Sequence, residues 1–379
     1  MKRVNVAVIG AAGWIGGLHS DCWVRAKSMV AELIPDVELN LHTAVDVNAD
    51  SVAKVAKRYS YTKWNTNYDE VINDPEIDLI DIACNNNFHK DIALKAAKAG
   101  KLIFCEKPLA MNYEDAKEMV AAVNEYKIPN RVDFMYRKYP SLVFVREMID
   151  RGDIGEIRQL RISFDQDFYL DPGCPRDWHF TMATSGGGSI VTLGTHVIDL
   201  TRFLVGEWAE VLAQSTTCIK ERPLVAGGTE MGEVDVDDMM STLIKFENGA
   251  SGALFSSWVT PGRKHHVEFQ LVGSKATVLF NSERLNEIEL YEVNGPEDMR
   301  GFKTILIGTP HKYGNMFSQK TGMGIGIKEA FTIQMMDYLK DVVEGTISGP
   351  VFEDGMMNVL YVQKIQESVQ KGGWVKIEK

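Results

Sequence analysis

Two short stretches of this sequence carry residue types suited to moving a proton and a hydride. In "SGGGSIVTLGTHVIDLTRFLVG", residues 185–206, helical spacing brings Thr192, His196 and Asp199 to within about 60° of one another. Ile190, Leu193, Val197, Leu200 and Leu204 make a separate apolar face. A lone helical histidine is ordinarily structural, but one flanked on its own face by a hydroxyl and a carboxylate is a candidate general base. The second stretch, "FCEKPLA" at 104–110, follows an apolar run and presents Glu106-Lys107-Pro108. The proline restrains Lys107 to extended geometry, which aims its ammonium out from a strand end. A base together with a cation is what oxidation of a secondary alcohol needs, since the O–H proton must leave as the C–H hydride departs.

A hydride needs an acceptor, and "VNVAVIGAAGWIGGLHSDCW" at 4–23 reads as a strand, a glycine turn and a helix. Gly10, Gly13 and Gly16 occur as G-x-x-G-x-x-G, with Ala12 where the usual fingerprint has its second glycine. Such a turn, with Trp14 and Ile15 opening the helix, offers backbone N–H groups and a positive dipole end to a pyrophosphate. A plain tight turn would have the same glycines. After the next strand, "HTAVDVNAD" places Asp46 at the strand's carboxyl end, where a carboxylate accepts hydrogen bonds from a ribose and repels a 2′-phosphate. NAD is therefore the expected cofactor, favoured over NADP.

The elements that must position these residues are of two kinds. Up to about residue 130, short apolar runs ("NVAVIG", "VELNLHTAVDV", "IDLIDIAC", "KLIFCEKP", "IPNRVDFM") alternate with helical patterns, a βαβ rhythm that predicts a doubly wound parallel sheet. Beyond it the strands lengthen, and "FENGASG" reads as an Asn-Gly hairpin turn. The expectation is a dinucleotide-binding domain over 1–130 and an α+β substrate domain over 131–379, built on a large open, mostly antiparallel sheet. Residues 294–325, Gly-rich and weakly periodic, read as a long loop or a subunit-contacting excursion.

With 379 residues, 45% of them hydrophobic, and a formal charge of −11, the chain suits a small-molecule enzyme better than a nucleic-acid binder, which needs clustered basic residues. No stretch is long and apolar enough for a membrane helix. Five scattered cysteines without CxxC spacing fit a cytoplasmic protein without a zinc site, and no metal is expected. The outer face of the second sheet has few helices to cover it, which predicts a homodimer or homotetramer.

Taken together, the glycine turn, Asp46, "NNNFHKDIALKAAKAGKLIFCEKPLA", "DWHF", "GGGSIVTLGTHVIDL", "FENGASG" and the terminal "WVKI" resemble the Gfo/Idh/MocA family of nicotinamide-dependent sugar and inositol oxidoreductases over nearly the whole chain. The resemblance implies that Lys107 touches the nicotinamide ribose and the substrate hydroxyl, that His196 is the base, and that Glu106 supports the ribose region. It places Cys84, Asn85, Asn87 and His89 along the nicotinamide side and Trp178 over the ring region. Tyr136, Asp177, His179 and Thr192 fall on the substrate side. The implied substrate is a pyranose, glycoside, anhydrosugar or inositol. Two departures stand out: Thr192 occupies the place of the family's aspartate one turn before the histidine, and Cys84-Asn85-Asn86-Asn87 replaces its Thr-Pro-Asn. A hydroxyl does not stabilise an imidazolium as a carboxylate does. Two other readings therefore stay open: redox-neutral glycoside cleavage with NAD used transiently, and a non-catalytic sugar or NAD binder.

Overall fold

The computed structural model describes residues 2–317 and 320–378; Met1, Lys379, and Ser318 and Gln319 within the Gly-rich segment lie outside the described residues. The chain divides into two compact units. One takes the chain up to Lys138 together with Ile327–Val359, and the other takes Tyr139–Gly326 together with the chain from Leu360.

In the first unit, six parallel strands, β1 (Lys2–Ile9), β2 (Val37–Val45), β3 (Lys63–Asn65), β4 (Leu79–Ile82), β5 (Leu102–Cys105) and β6 (Asn130–Val132), lie in the order β3-β2-β1-β4-β5-β6. Because helices cover a parallel sheet on both faces, its central strands are apolar almost without interruption. Every residue of β4 is buried, and Ile80, Ile82, Ile103 and Val132 pack with Ala93, Ala96 and Met119 of the covering helices. The strand order reverses between β1 and β4, and ligands bind open α/β sheets at the carboxyl edge beside such a reversal. Helix α1 (Trp14–Leu33) starts at that edge.

Residues 327–359 belong to this unit, not to the second as the 131–379 expectation had it. The helix Ile327–Glu344 supplies partners that the edge near β6 lacks in sequence. The Tyr338 hydroxyl accepts from Ile103 N–H at 3.0 Å and donates to Pro129 O at 2.6 Å, and Gln334 donates to Val132 O at 3.0 Å.

The second unit is built on nine strands: β7 (Ile157–Asp165), β8 (Trp208–Thr216), β9 (Met239–Phe246), β10 (Ser251–Ser257), β11 (His266–Gly273), β12 (Ala276–Asn281), β13 (Glu287–Glu292), β14 (Lys303–Leu306) and β15 (Val375–Lys376). Their order is β14-β13-β12-β11-β7-β10-β9-β8-β15, antiparallel except for the β7–β10 pair. The Asn-Gly turn joins β9 to β10 as read, with Gly249 at φ +87°. Strand β9 alternates exposed and buried residues along its whole length, so one face is covered and the other open. Helix α2 (Thr195–Leu204) and the turn before it pack against β7 and β10. The expected loop over 294–325 is in part a strand, because Lys303–Leu306 extends the sheet edge by pairing with β13.

Candidate active site

At the end of β1 the chain turns on glycines that its own backbone demands. Gly10 has φ +89°, and a Cβ there would lie 2.4 Å from Ala83 O; a Cβ on Gly16 would lie 2.1 Å from Gly10 O. The turn is thereby pressed against the end of β4 and the start of α1. No side chain caps α1 at Gly13, and its first turn holds no acidic residue, so the positive end of a 20-residue helix stays available to an anion. Trp14 is 80% exposed and Ile15 half-buried on that first turn. Asp46 follows β2 and reaches back to the turn: its Oδ2 accepts Ala12 N–H at 3.1 Å and its Oδ1 accepts Asn48 N–H at 3.4 Å. These residues fit a dinucleotide, with the helix end for its pyrophosphate and a carboxylate fixed beside it for a ribose.

Beyond β4, Cys84 is half-buried and burial pushes its thiol up to about 12; Asn85 and Asn87 are exposed. His89 departs from its expected place along the nicotinamide side. It is fully buried, with Nδ1 2.9 Å from Pro108 O and Nε2 3.0 Å from Cys84 O, so it ties the two loops together and reaches a ligand only through them. Tyr136 departs likewise: it is 1% exposed, held inside the first unit.

The strand ends also converge on a cluster that sequence reasoning missed. Asp81 interrupts apolar β4, Glu106 directly follows β5, and Asp133 directly follows β6. Parallel register puts all three near one level, with Glu106 N–H donating to Ile82 O and Asp133 N–H to Cys105 O. His19, from α1, sits among them fully buried: Nδ1 is 3.0 Å from both Asp81 oxygens, and Nε2 is 3.0 Å from Glu106 Oε1 and 3.3 Å from Asp133 Oδ2. Trp23 Nε1–H donates to Asp81 at 2.7 Å, Gln334 Nε2–H donates to Asp133 at 2.9 Å, and the second Glu106 oxygen accepts Lys107 N–H at 2.9 Å.

The electrostatics follow from the packing. Burial pulls the His19 pKa down, but the Asp81 charge and the ring's hydrogen bonds to Asp133, Asp81 and Glu106 outweigh it and hold it well above the ordinary value. Glu106 is pushed up by burial and brought below the usual carboxylate range by His19 and Lys107. Asp133 is pushed up to about 7 by burial, with Glu106 and Asp81 adding to the rise. Burial lowers Lys107, and the Glu106 and Asp133 charges offset this in part. His19, Glu106 and Asp133 offer ligand atoms within 4.8 Å of one another, a grouping the expectation of no metal did not foresee. The signal that could have found the cluster was the aspartate inside "IDLIDIAC", since an acid within a strand buried on both faces requires a buried partner.

In the second unit, the residues before α2 form a π-helical turn, Ile190–Gly194, in place of the regular helix expected there. Thr192 and His196 are half-buried, whereas Asp199 is 1% exposed. Asp199 is therefore less accessible than either; His196 and Asp199 share one regular helix, and the π turn alters only the spacing of Thr192 from them. The start of the stretch is held by Asp237, also missed in sequence: Oδ1 accepts Gly188 N–H at 2.9 Å, and Oδ2 accepts Ile190 N–H at 2.9 Å and Ser189 Oγ–H at 2.7 Å. Burial raises Asp237, opposed by those same hydrogen bonds. Elsewhere in this unit Trp178 stacks on His179 at 3.8 Å between ring centroids, and His179 Nδ1 lies 2.9 Å from Asp177 Oδ1 and 3.1 Å from the Tyr169 hydroxyl. Arg222 fixes that loop by donating to Asp171 O and Tyr169 O at 2.8 and 2.7 Å.

A glycine turn with a carboxylate fixed against it at the reversal of a six-stranded parallel sheet, joined to a unit on an open mixed sheet, marks a two-part dinucleotide-dependent oxidoreductase. Family models agree over most of the chain: "Oxidoreductase family, NAD-binding Rossmann fold" matches residues 4–134, and "GFO/IDH/MocA C-terminal domain" matches 142–279. The chain belongs to the Gfo/Idh/MocA oxidoreductase family, and it is an NAD-dependent dehydrogenase. It is 35% identical to levoglucosan dehydrogenase of Pseudarthrobacter phenanthrenivorans over 100% of this chain and 99% of that protein. The solved levoglucosan dehydrogenase in complex with NADH and levoglucosan matches with TM-score 0.95 and 35% identity over 100% of both chains. An NAD-binding oxidoreductase from Klebsiella pneumoniae matches with TM-score 0.93 and 32% identity over 100% of both. Among the described residues no helix is long and apolar enough to cross a membrane.

Proposed function

We propose that this enzyme reversibly oxidises a secondary hydroxyl of a pyranose, glycoside, anhydrosugar or inositol to a ketone, with an anhydrosugar the first to try. The observation that carries this reading is the full-length 35% identity to a levoglucosan dehydrogenase. Bound NAD supplies the hydride acceptor. Gly10, Ala12, Gly13, Trp14 and Ile15 hold its pyrophosphate end, and Asp46 its ribose. His196 takes the hydroxyl proton, Lys107 supplies positive charge beside the developing alkoxide, and Thr192 donates a hydrogen bond to the substrate. Trp178, Asp177 and His179 form an aromatic and polar patch suited to a sugar ring.

Purified protein with NAD should be offered levoglucosan, myo- and scyllo-inositol, free hexoses and aryl glycosides while NADH absorbance is followed. Net NADH formation with one of them is expected. Product formation without NADH accumulation would select redox-neutral cleavage, and tight binding without turnover would select a binding protein.

The open face of the nine-stranded sheet, which exposes Met239, Leu243 and Phe255, is assigned to a second copy of this chain in a homodimer or homotetramer. Light scattering at micromolar concentration should give a multiple of 42.4 kDa. A mass equal to one chain would refute that assignment.

A further inference from the structure

Neutral imidazole carries one N–H, yet both ring nitrogens of His19 face carboxylate oxygens at 3.0 Å. Carboxylates only accept, so the arrangement is satisfied when both nitrogens carry protons. We propose that His19 is a positioning residue for the reaction: held as an imidazolium between Asp81 and Glu106, it keeps Glu106 ionised and oriented, and that carboxylate keeps half-buried Lys107 an ammonium. The proposal rests on the reading of Lys107 as the cation beside the reacting hydroxyl.

The groups around the ring support the direction of the effect. Asp81 comes from β4, Glu106 and Lys107 from the loop after β5, and Asp133 from the end of β6. Cys22 on the same helix stays neutral, its thiol pushed up to about 12 by burial. The Phe104 and Phe331 rings close the remaining sides, 5.8 and 5.4 Å away between centroids. Glu106 is held below the usual carboxylate range by His19 and Lys107, and Asp133, pushed up to about 7, can hold its own proton. Asp81 keeps the Trp23 N–H if His19 is lost. Glu106 loses its bond to the ring and keeps the Lys107 backbone N–H and the charge of that lysine. It is therefore Glu106 that takes up a proton when His19 is removed, and a neutral Glu106 no longer favours the charged form of Lys107.

The test measures the lysine directly and needs no substrate. Lys107 is acetylated with acetic anhydride at a series of pH values, and its modification is quantified by mass spectrometry in the wild type, His19→Gln, Glu106→Gln and the double variant. Both single variants should raise the Lys107 labelling rate near neutral pH by about tenfold, the effect of a tenfold larger free-amine fraction. The double variant should do no more than either. Unchanged labelling in His19→Gln, or single effects that multiply in the double variant, would overturn the proposal. A measurement on the unaltered protein covers variants that do not fold: with 15N-labelled histidine, His19 should show two protonated ring nitrogens at about pH 8, and a neutral tautomer there would overturn the proposal. Failure of the underlying reading shows separately, as an undiminished kcat in Lys107→Ala.

Discussion

In the first unit Lys107 is backed by three buried carboxylates and an imidazole, whereas in the second the Thr192–His196 stretch is held by one buried carboxylate. The carboxylates of the first cluster face a charge, and each is stabilised by another side chain. Asp237 faces backbone N–H groups and one hydroxyl, and its work is geometric. The same residue type thus serves to set charge in one unit and to hold a helix start in the other. Substitutions separate the two roles.

The largest effects should come from the groups each arrangement serves. His196→Ala and Lys107→Ala should each lower kcat by about two to four orders of magnitude, the scale for losing acid–base or electrostatic help. Calorimetry with NAD should show little change for His196→Ala, as its role is on the substrate side. Near-wild-type turnover in His196→Ala would remove it as the base.

Next is the clamp. Asp237→Ala leaves two buried N–H groups without their acceptor, while the Ser189 hydroxyl turns to Ser256 O at 3.2 Å; the change should cost about 3 kcal/mol in chemical denaturation. The charge cluster should respond to pH instead. Because Asp133 is held up at about 7 in the folded protein, above its ordinary carboxylate value, the folded state binds its proton more tightly than the unfolded one. Its contribution to stability is therefore full at low pH and is lost as pH rises through about 7. Asp133→Asn should remove that loss, narrowing the difference in Tm between about pH 5 and about pH 8. An unchanged difference would mean Asp133 does not hold the proton.

How far each arrangement could be read in the sequence follows from the same contrast. The glycine turn, Asp46, Lys107 and His196 are visible because local rules govern them: a turn, a strand end, a proline, a helical spacing. Asp81, Asp133 and His19 meet through the register of parallel strands and the packing of α1, and Asp237 meets Gly188 across 49 positions. No local pattern reports such meetings. The doubly wound sheet was legible from periodicity, and the antiparallel pairing of the second sheet from the Asn-Gly turn between two of its strands. The return of residues 327–359 to the first unit was not, because an amphipathic helix does not reveal which sheet it covers. Asp199 misled because helical spacing tells which residues lie near one another around the axis and not how deeply each is buried.

Asp46 tests the ligand edge of the first unit. Its carboxylate should make NADP bind about 2 kcal/mol more weakly than NAD, roughly thirtyfold, and Asp46→Ala should narrow the gap. Equal affinities for the two in the wild type, measured by calorimetry, would contradict this.

The smallest expected effect sharpens the comparison at Thr192. A carboxylate at this place would stabilise the His196 imidazolium, and a hydroxyl does not do so strongly. If Thr192 serves the substrate, Thr192→Val removes one hydrogen bond worth about 1 kcal/mol and keeps the shape. KM should then rise about fivefold with kcat nearly unchanged, the pattern of a contact made equally in ground and transition states. If Thr192 instead served the base, kcat would fall and the acidic limb of its pH profile would move, because the imidazolium would have lost a partner. Thr192→Asp gives the converse: restoring the carboxylate should raise the apparent pKa of His196 in that profile while leaving NAD affinity unchanged. A profile identical to the wild type in both variants would place Thr192 outside the chemistry of the second unit.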